Sequence, residues 1–260
     1  MRNTLIFTKR VIKEILRDPI IYIFGIGFPL VMLLLFQIIN NYTGEENPVF
    51  KPKSLIPGIL IFSATFIMMV MALMISKDRS TSLLKRLYTS PLKSTNYILG
   101  YAIPGMILGI IQMIICIISG FIISLICKND YFSFASACLL ILTSLPNLII
   151  CIFLGLLFGT LLNDKSAPGI VSVFISASGI LGGCWMPLDV MGNFETICRF
   201  LPFYPSVSLG RIVTGALHTN LELYKFDNNM VIGIIVILIY LLVSVILSII
   251  AFKKQMTNEK

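Results

Sequence analysis

The chain of 260 residues is 57% hydrophobic and only 12% charged, with twenty Lys and Arg against twelve Asp and Glu and a net charge of +8. A soluble domain carries roughly twice that share of charge, so this composition excludes an ordinary water-soluble protein and points to an integral membrane protein. Membrane topology and anionic lipid account for the excess positive charge, which leaves no case for nucleic-acid binding.

Six stretches contain no Asp, Glu, Lys or Arg: 19–44, 54–76, 94–127, 131–163, 166–188 and 228–252. Each exceeds the roughly 20 residues that cross a bilayer as a helix, so the pattern predicts an all-α integral membrane fold of six transmembrane helices. No alternating ten-residue pattern suggests a membrane barrel. Fourteen Lys and Arg fall in the gaps on one side of these spans and six on the other, which places both termini in the cytoplasm. With no internal repeat or low-complexity segment, residues 1–260 read as one membrane domain.

Residues 1–18 alternate basic and apolar positions at helical spacing, with Lys9, Lys13 and Arg17 along one line and Leu5, Ile12, Ile15 and Leu16 toward another. That pattern describes an interfacial helix in the headgroup layer, either as a topology anchor or as a partner-binding element. Asp18-Pro19 punctuates the start of the first span, which is read as retained rather than as a cleaved signal peptide. Gly25, Gly27 and Pro29 permit a bend or close packing there. The Asn41-Tyr42-Thr43 match to a glycosylation acceptor is weak and carries no weight.

The second span, Leu55 to Ile75, is rich in Met and Phe. Phe62, Phe66 and Met69 are candidates for lining a path for varied substrates, although lipid-facing or packing roles are commoner for such residues. A polar, basic island runs from Ser76 to Asn96 and coincides closely with a predicted cytoplasmic loop at 77–97. From Ser80 to Thr89, Leu83, Leu84, Leu87 and Tyr88 fall on one stripe of a predicted helix, with Lys85 and Arg86 on the other face. Pro91 stops that helix because it pushes Ser90 out of helical geometry. A helix of about 15 Å is too short to hold itself together in water, so it needs a docking surface on another protein.

The third span, Ile98 to Ile126, contains Gln112, which faces protein more readily than lipid; the fourth contains Pro146-Asn147, which can kink a helix. The fifth runs from Ala167 to about Cys184. The segment 185–229 is neither uniformly apolar nor convincingly soluble, and it predicts short helices that dip into the outer leaflet and return. Trp185 marks its start, either as a simple interfacial anchor or as part of the returning segment. Cys184 and Cys198 are placed for a disulfide in an oxidising exterior, while free buried thiols remain the commoner state. The sixth span, Met230 to Phe252, closes with Lys253-Lys254.

No charge sits in the middle of any span, so no buried ionisable group marks an ion path. If the chain is a pump, its energy comes from outside the membrane. None of G-x-x-x-x-G-K-[ST], G-x-S-x-G, H-E-x-x-H or C-x-x-C occurs, the sole histidine is His218, and no metal-ligand spacing is present. The chain on its own is therefore read as no enzyme, with neither a metal nor a cofactor of its own.

Three stretches, in order among six spans, resemble the permease subunits of type-2 ATP-binding-cassette (ABC) exporters over essentially the full length. The loop K-D-R-S-T-S-L-L-K-R-L-Y-T-S-P-L looks like that family's acidic residue, small residues and L-x-R-L-x-x-[ST]-P. In it Asp78 stands near the usual acidic position, Ser82 where a Gly is common, and Arg86, Leu87, Ser90 and Pro91 fit. The segment G-G-C-W-M-P, then L-P-F-Y-P, then Arg211 is similar to the family's pattern after the fifth span and carries Trp185, Pro187, Pro202 and Pro205. The basic amphipathic N-terminus leading into R-D-P is the third stretch.

The resemblance implies a half-transporter in the cell membrane, read as a bacterial plasma membrane. Two permease protomers, identical or related, would pair with two cytosolic ATPase subunits that bind ATP and Mg on separate chains. It further implies that the loop after the second span is a coupling helix, with Asp78, Leu83, Leu84, Arg86, Leu87, Tyr88, Ser90 and Pro91 at the ATPase contact. A re-entrant outer segment would cap the exit of a path between protomers. The implied activity is export of an amphipathic drug, peptide or lipid-linked molecule. A stand-alone channel or gradient-driven carrier and an intramembrane lipid enzyme are the competing readings.

Overall fold

Long runs without charge leave the backbone to satisfy its own polar groups, and the computed structural model shows it doing so in helices. The structure describes residues 2–43, 50–81, 94–127, 131–186, 188–219 and 221–258. In chain order the elements are α1 (Arg2–Ile15), α2 (Pro19–Tyr22), a π-helical turn (Ile23–Gly27), α3 (Phe28–Thr43), α4 (Pro52–Ser80), α5 (Ser94–Cys127) and α6 (Phe134–Leu161). Then follow α7 (Ala167–Leu181), a 3-10 turn (Leu188–Val190), α8 (Asn193–Cys198), α9 (Phe203–Thr214) and α10 (Asn228–Asn258). The described residues hold no strand, only an isolated bridge between Leu217 and Leu223.

Four helices, α4, α5, α6 and α10, are long and apolar enough to cross a membrane. The other two predicted spans are built differently. The first is interrupted by the π turn at Ile23–Gly27, which divides it into α2 and α3. The fifth is α7, whose 15 residues extend about 22 Å, short of a hydrocarbon core of about 30 Å. It stops where Gly182 and Gly183 turn the chain, Gly183 with φ of +60°. A charge-free window counts residues; it does not see that a positive φ ends the helix inside it.

The second predicted span is longer than its apolar run. Pro57 lies inside α4, and the helix continues through Lys77, Asp78 and Arg79 to Ser80. Basic residues in a last helical turn interact favourably with the helix dipole, and nothing before Ser80 breaks the helix. Ser80, predicted to open the coupling helix, thus closes α4, and α5 starts at Ser94 rather than after residue 97. α6 runs through Pro146 without interruption.

α4 is the axis of the bundle: 89% of its most apolar stretch is buried, against 33%, 44% and 28% for α5, α6 and α10. Gly155 and Gly159 on α6 let the two backbones meet, since a Cβ at Gly155 would lie 2.5 Å from the Met68 carbonyl oxygen and one at Gly159 2.8 Å from that of Ala72. The outward faces of α5 and α10 stay apolar, with Ile111, Ile118, Leu242 and Ile246 exposed. Such a surface suits lipid rather than water.

Both termini lie at one end of the bundle. Phe7 of α1 meets Tyr97 of α5 edge-on at 5.5 Å, and Tyr97 stacks on Phe252 of α10 at 6.4 Å. The start of α4, the short helices α8 and α9, and the start of α10 occupy the far end, where Gly233 packs on Pro205 and Gly210 on Pro57. The short helices predicted for 185–229 are thus present as α8 and α9.

Candidate functional site

At the α1 end, three consecutive residues in the last turn of α4 reach three different neighbours. Asp78 is buried, and its carboxylate takes the Arg10 guanidinium at 3.0 Å on Oδ1 and 3.4 Å on Oδ2, while the Tyr101 hydroxyl donates to Oδ2 at 2.5 Å. A buried carboxylate is costly unless its charge is paired and its lone pairs are filled, and these two partners do both. Burial works against the Arg10 charge, but Asp78, with Glu14 at 2.8 Å, more than offsets it and holds the guanidinium above its ordinary value. Arg79 donates to the Thr160 carbonyl and, at 3.4 Å, to Asn163 Oδ1. Ser80 donates to Asp164 at 3.4 Å. Side chains on a helix fan out by about 100° per residue, so one turn of α4 is tied to α1, α5, the end of α6 and the turn after it.

α1 is seated by packing as well as by charge. Phe7, Val11 and Ile15, at i, i+4 and i+8, are buried against α5, and Phe7 also meets Tyr101 edge-on at 5.0 Å. A Cβ at Gly100 would collide with the Phe7 ring, so the glycine makes room for the helix. Leu5, Ile6 and Leu16 remain exposed, so only part of the predicted apolar line faces protein.

Beside this node lies a cavity of about 580 Å³, between the end of α1, the start of α2 and the lower half of α4. Phe66 and Met69 line it together with Asp78. Phe62 sits one turn further along α4, buried against Phe66 at 5.3 Å and against Trp185 at 4.7 Å. Two of the three predicted path residues therefore share one cavity, and the third packs above it. Leu83, Leu84, Arg86, Leu87, Tyr88, Ser90 and Pro91 lie outside the described residues, which resume at Ser94; Pro187 does as well.

The far end of α4 is fastened by a second buried cation. Arg211 is 1% exposed and donates to the carbonyls of Gly183 at 2.8 Å and Ser54 at 3.3 Å and to the Tyr224 hydroxyl at 3.2 Å. No described carboxylate pairs with it. Thr214 donates to the Lys53 carbonyl at 2.6 Å, and Gly58 lies against the Cys184 backbone so closely that a Cβ there would clash. Pro205 packs on α10 through Gly233, Pro202 caps the start of α9, and Trp185 stacks on Phe36 at 5.7 Å. Cys184 and Cys198 are both buried free thiols, so the pair is not a disulfide here.

Asp189 ties the 3-10 turn to His218 and Thr219 after α9. Asp189 accepts from the Thr219 backbone N–H at 2.9 Å and hydroxyl at 2.6 Å, with His218 Nδ1 at 3.3 Å. Burial raises its pKa, but those hydrogen bonds outweigh burial and hold the carboxyl below its ordinary value. Among the described residues no group of three His, Cys, Asp or Glu side chains is placed to hold a metal ion.

Sequence reasoning missed Arg10, Tyr101, Arg79 and Tyr224. Arg10 lies 68 residues from Asp78, and a tyrosine within an apolar run looks like packing. The only available hint was that Asp78 needed a cation.

Comparison with known proteins gives two findings. The profile of the ABC-2 type transporter family matches residues 2–214, from the start of α1 to the end of α9. A Bacillus subtilis (strain 168) protein whose printed name is "Putative transport permease YvfS" is 21% identical over 193 residues, 74% of this chain and 77% of that protein.

Proposed function

This chain belongs to the ABC-2 type transporter family and is a multi-pass membrane transport permease, and from that premise we propose that it is the membrane half of an ATP-driven exporter. A separate cytosolic ATPase supplies the energy, and two permease protomers, identical or related, form the path. The chain crosses the membrane six times, with α3 and α7 completing the spans beside the four long helices, and the α1 end faces the cytoplasm. The short helices at the far end then cap the outer side. The cargo is an amphipathic drug, peptide or lipid-linked molecule.

One observation carries this reading: the most buried helix of the bundle is tied at both ends. At one end Asp78, Arg79 and Ser80 fix it immediately before the loop that resembles a coupling helix. At the other, Arg211 and Gly58 join it to the segment that caps the far side. A ligand shifts a conformational equilibrium only by binding the two states differently, and here that differential binding belongs to the ATPase. α4 is about 43 Å long at its 29 residues, so a displacement at residues 82–93 reaches the cap through one rigid element. The close backbone contact with α6 makes these two helices move together.

The test is reconstitution with the partner ATPase. Substrate movement into vesicles should require ATP, and Leu87→Asp or Arg86→Glu should lower permease-stimulated ATP turnover at least tenfold. A complex of normal activity carrying both changes would remove the coupling role. Transport by this chain alone, without nucleotide, would instead favour the channel or carrier.

A further inference from the structure

α1 is seated on the bundle by one stripe, Phe7, Val11 and Ile15, and its open side carries two others. Lys9 and Lys13, one turn apart, are exposed, and Arg17 continues their line just past the helix. Leu5 and Leu16 are exposed as well, and the Leu16 N–H still donates to the Ile12 carbonyl, which extends the helical path to it. The two leucines fall within about 20° of each other around the helix, beside the lysine line.

Along the basic side runs a groove of about 430 Å³, lined by Ile6, Lys9, Arg10, Lys13, Glu14 and Arg17. Four cations against one carboxylate leave its lining three charges positive. Glu14 is bound to Arg10 at 2.8 Å and Arg10 is shared with Asp78, so the surplus rests on Lys9, Lys13 and Arg17. None of these three is ion-paired to a described carboxylate. The other acids at this end do not line the groove: Asp18 has a partner of its own, and Asp164 takes a hydrogen bond from Ser80 and is followed by Lys165. Residues 82–93, outside the described residues, contain Lys85, Arg86 and Lys93 and no acid, and Glu259 is matched by Lys260, so neither segment brings net counter-charge.

The helix also lies where the apolar surface of the bundle ends. Phe7 meets Tyr97 of α5, and Tyr97 stacks on Phe252 of α10. The exposed apolar face of α10 runs to Ile250 and gives way to exposed Lys253 and Lys254, while that of α5 starts at Leu99, after exposed Thr95. Two helices thus change from apolar to polar exposure at the level of Phe7. A leucine line beside a lysine line fits a surface that is apolar and anionic in adjacent layers, as a charged leaflet is and a folded acidic protein surface is not.

We propose that the groove on α1 binds the headgroup of an anionic phospholipid, with Lys9, Lys13 and Arg17 around the headgroup and Leu5 and Leu16 among the acyl chains. The proposal uses the membrane character of the chain and not the ATP-driven reading, so either can fail while the other stands.

Phosphatidylglycerol and phosphatidylcholine bearing the same fluorescent acyl chain share a phosphate and differ in net charge. Each is titrated into the full chain in neutral detergent at physiological salt. Saturable binding of phosphatidylglycerol at one site per chain is expected, about a hundredfold tighter than phosphatidylcholine, at about fivefold for each basic residue. Lys9→Gln with Lys13→Gln should weaken phosphatidylglycerol about twenty-five-fold on the same scale and leave phosphatidylcholine unchanged. Both side chains are exposed and unpaired, so the melting curve should match the wild type's, and Lys9→Arg with Lys13→Arg should keep the affinity. Lys253→Gln with Lys254→Gln removes the same charge at the same level but off the groove, and should change the affinity by less than about twofold, being screened beyond about 8 Å. Inorganic phosphate in large excess should not displace the lipid, because it lacks the acyl chains that Leu5 and Leu16 hold. Equal affinity for the two lipids, an unchanged Lys9→Gln, Lys13→Gln variant, or an equal loss on the α10 variant would overturn the proposal. So would displacement by inorganic phosphate, which would mark a free-anion site, or by the partner ATPase, which would mark a protein-docking face.

Discussion

Removing either partner of the Arg10–Asp78 pair should destabilise the protein, and removing both should cost less than the sum. The pair joins a guanidinium whose side chain is 33% exposed to a carboxylate that is 9% exposed, at 3.0 Å. Exposed pairs are worth about 0.2–1 kcal/mol, and breaking a fully buried one costs about 3–5 kcal/mol. This half-buried geometry places Arg10→Met at about 2 kcal/mol. Asp78→Ala also strips Tyr101 of the acceptor for its 2.5 Å hydrogen bond, which brings that variant to about 3 kcal/mol. The double variant leaves no unpaired buried charge, since Glu14, which also loses Arg10, is exposed, so the coupling should be about 1–2 kcal/mol. At roughly 2–4 °C per kcal/mol for a chain of this size, the two single variants should melt about 6 °C and about 9 °C below the wild type. The sole tryptophan, Trp185, packed between Phe36 and Phe62, reports the transition by fluorescence in detergent or nanodiscs. Additive shifts, with no coupling, would refute the ion-pair account of how α1 is held to α4.

Four further outcomes follow from the same structure. Arg211→Lys should lower the melting temperature by about 10 °C, because one ammonium cannot replace a fork that serves two carbonyls and a hydroxyl, each costing about 1–3 kcal/mol when left unmet; a melting temperature like the wild type's would contradict this. Because the Asp189 carboxyl is held below its ordinary 3.8, its contribution is fully present above that value and is lost as pH falls through its lower folded value. Hydrogen exchange at the Thr219 amide should accelerate in that acid window, and Asp189→Asn should remove the pH dependence. In a Cys127→Ser, Cys138→Ser background, an impermeant maleimide should label Lys225→Cys on intact cells and Lys165→Cys only after permeabilisation, as six spans with cytoplasmic termini require. Gly155→Leu should cost several kcal/mol, since its side chain would have to push α4 from the α6 backbone; its melting curve checks this.

Much of the bundle was legible because membrane burial acts on composition. Charge-free runs mark α4, α5, α6 and α10 directly, and the mixed segment after Trp185 does fold into short helices. The ends were less legible. α4 extends through Ser80 because a helix already paid for in nucleation continues until something breaks it, and no breaker precedes Thr81. α7 falls short because two glycines turn the chain inside an apolar window. At the candidate site, Asp78 and Arg211 were reached through the resemblance to type-2 ABC permeases. Their partners were not, because Arg10 and Tyr101 are remote in sequence and the acceptors for Arg211 are mostly backbone carbonyls, which have no sequence signature. The ring contacts from Phe66 through Phe62, Trp185 and Phe36 to Phe50 join separate segments of the chain, and residue spacing within any one of them shows only packing.

The account depends on α4 carrying motion from the ATPase to the far end. Asp78→Asn keeps the shape of the side chain and removes the charge that holds α1 to the last turn of α4. ATP turnover and substrate movement should be measured in the same vesicles holding the permease and its ATPase. The account predicts that Asp78→Asn leaves turnover within twofold of the wild type while lowering the molecules moved per ATP about tenfold. An unchanged ratio would contradict it.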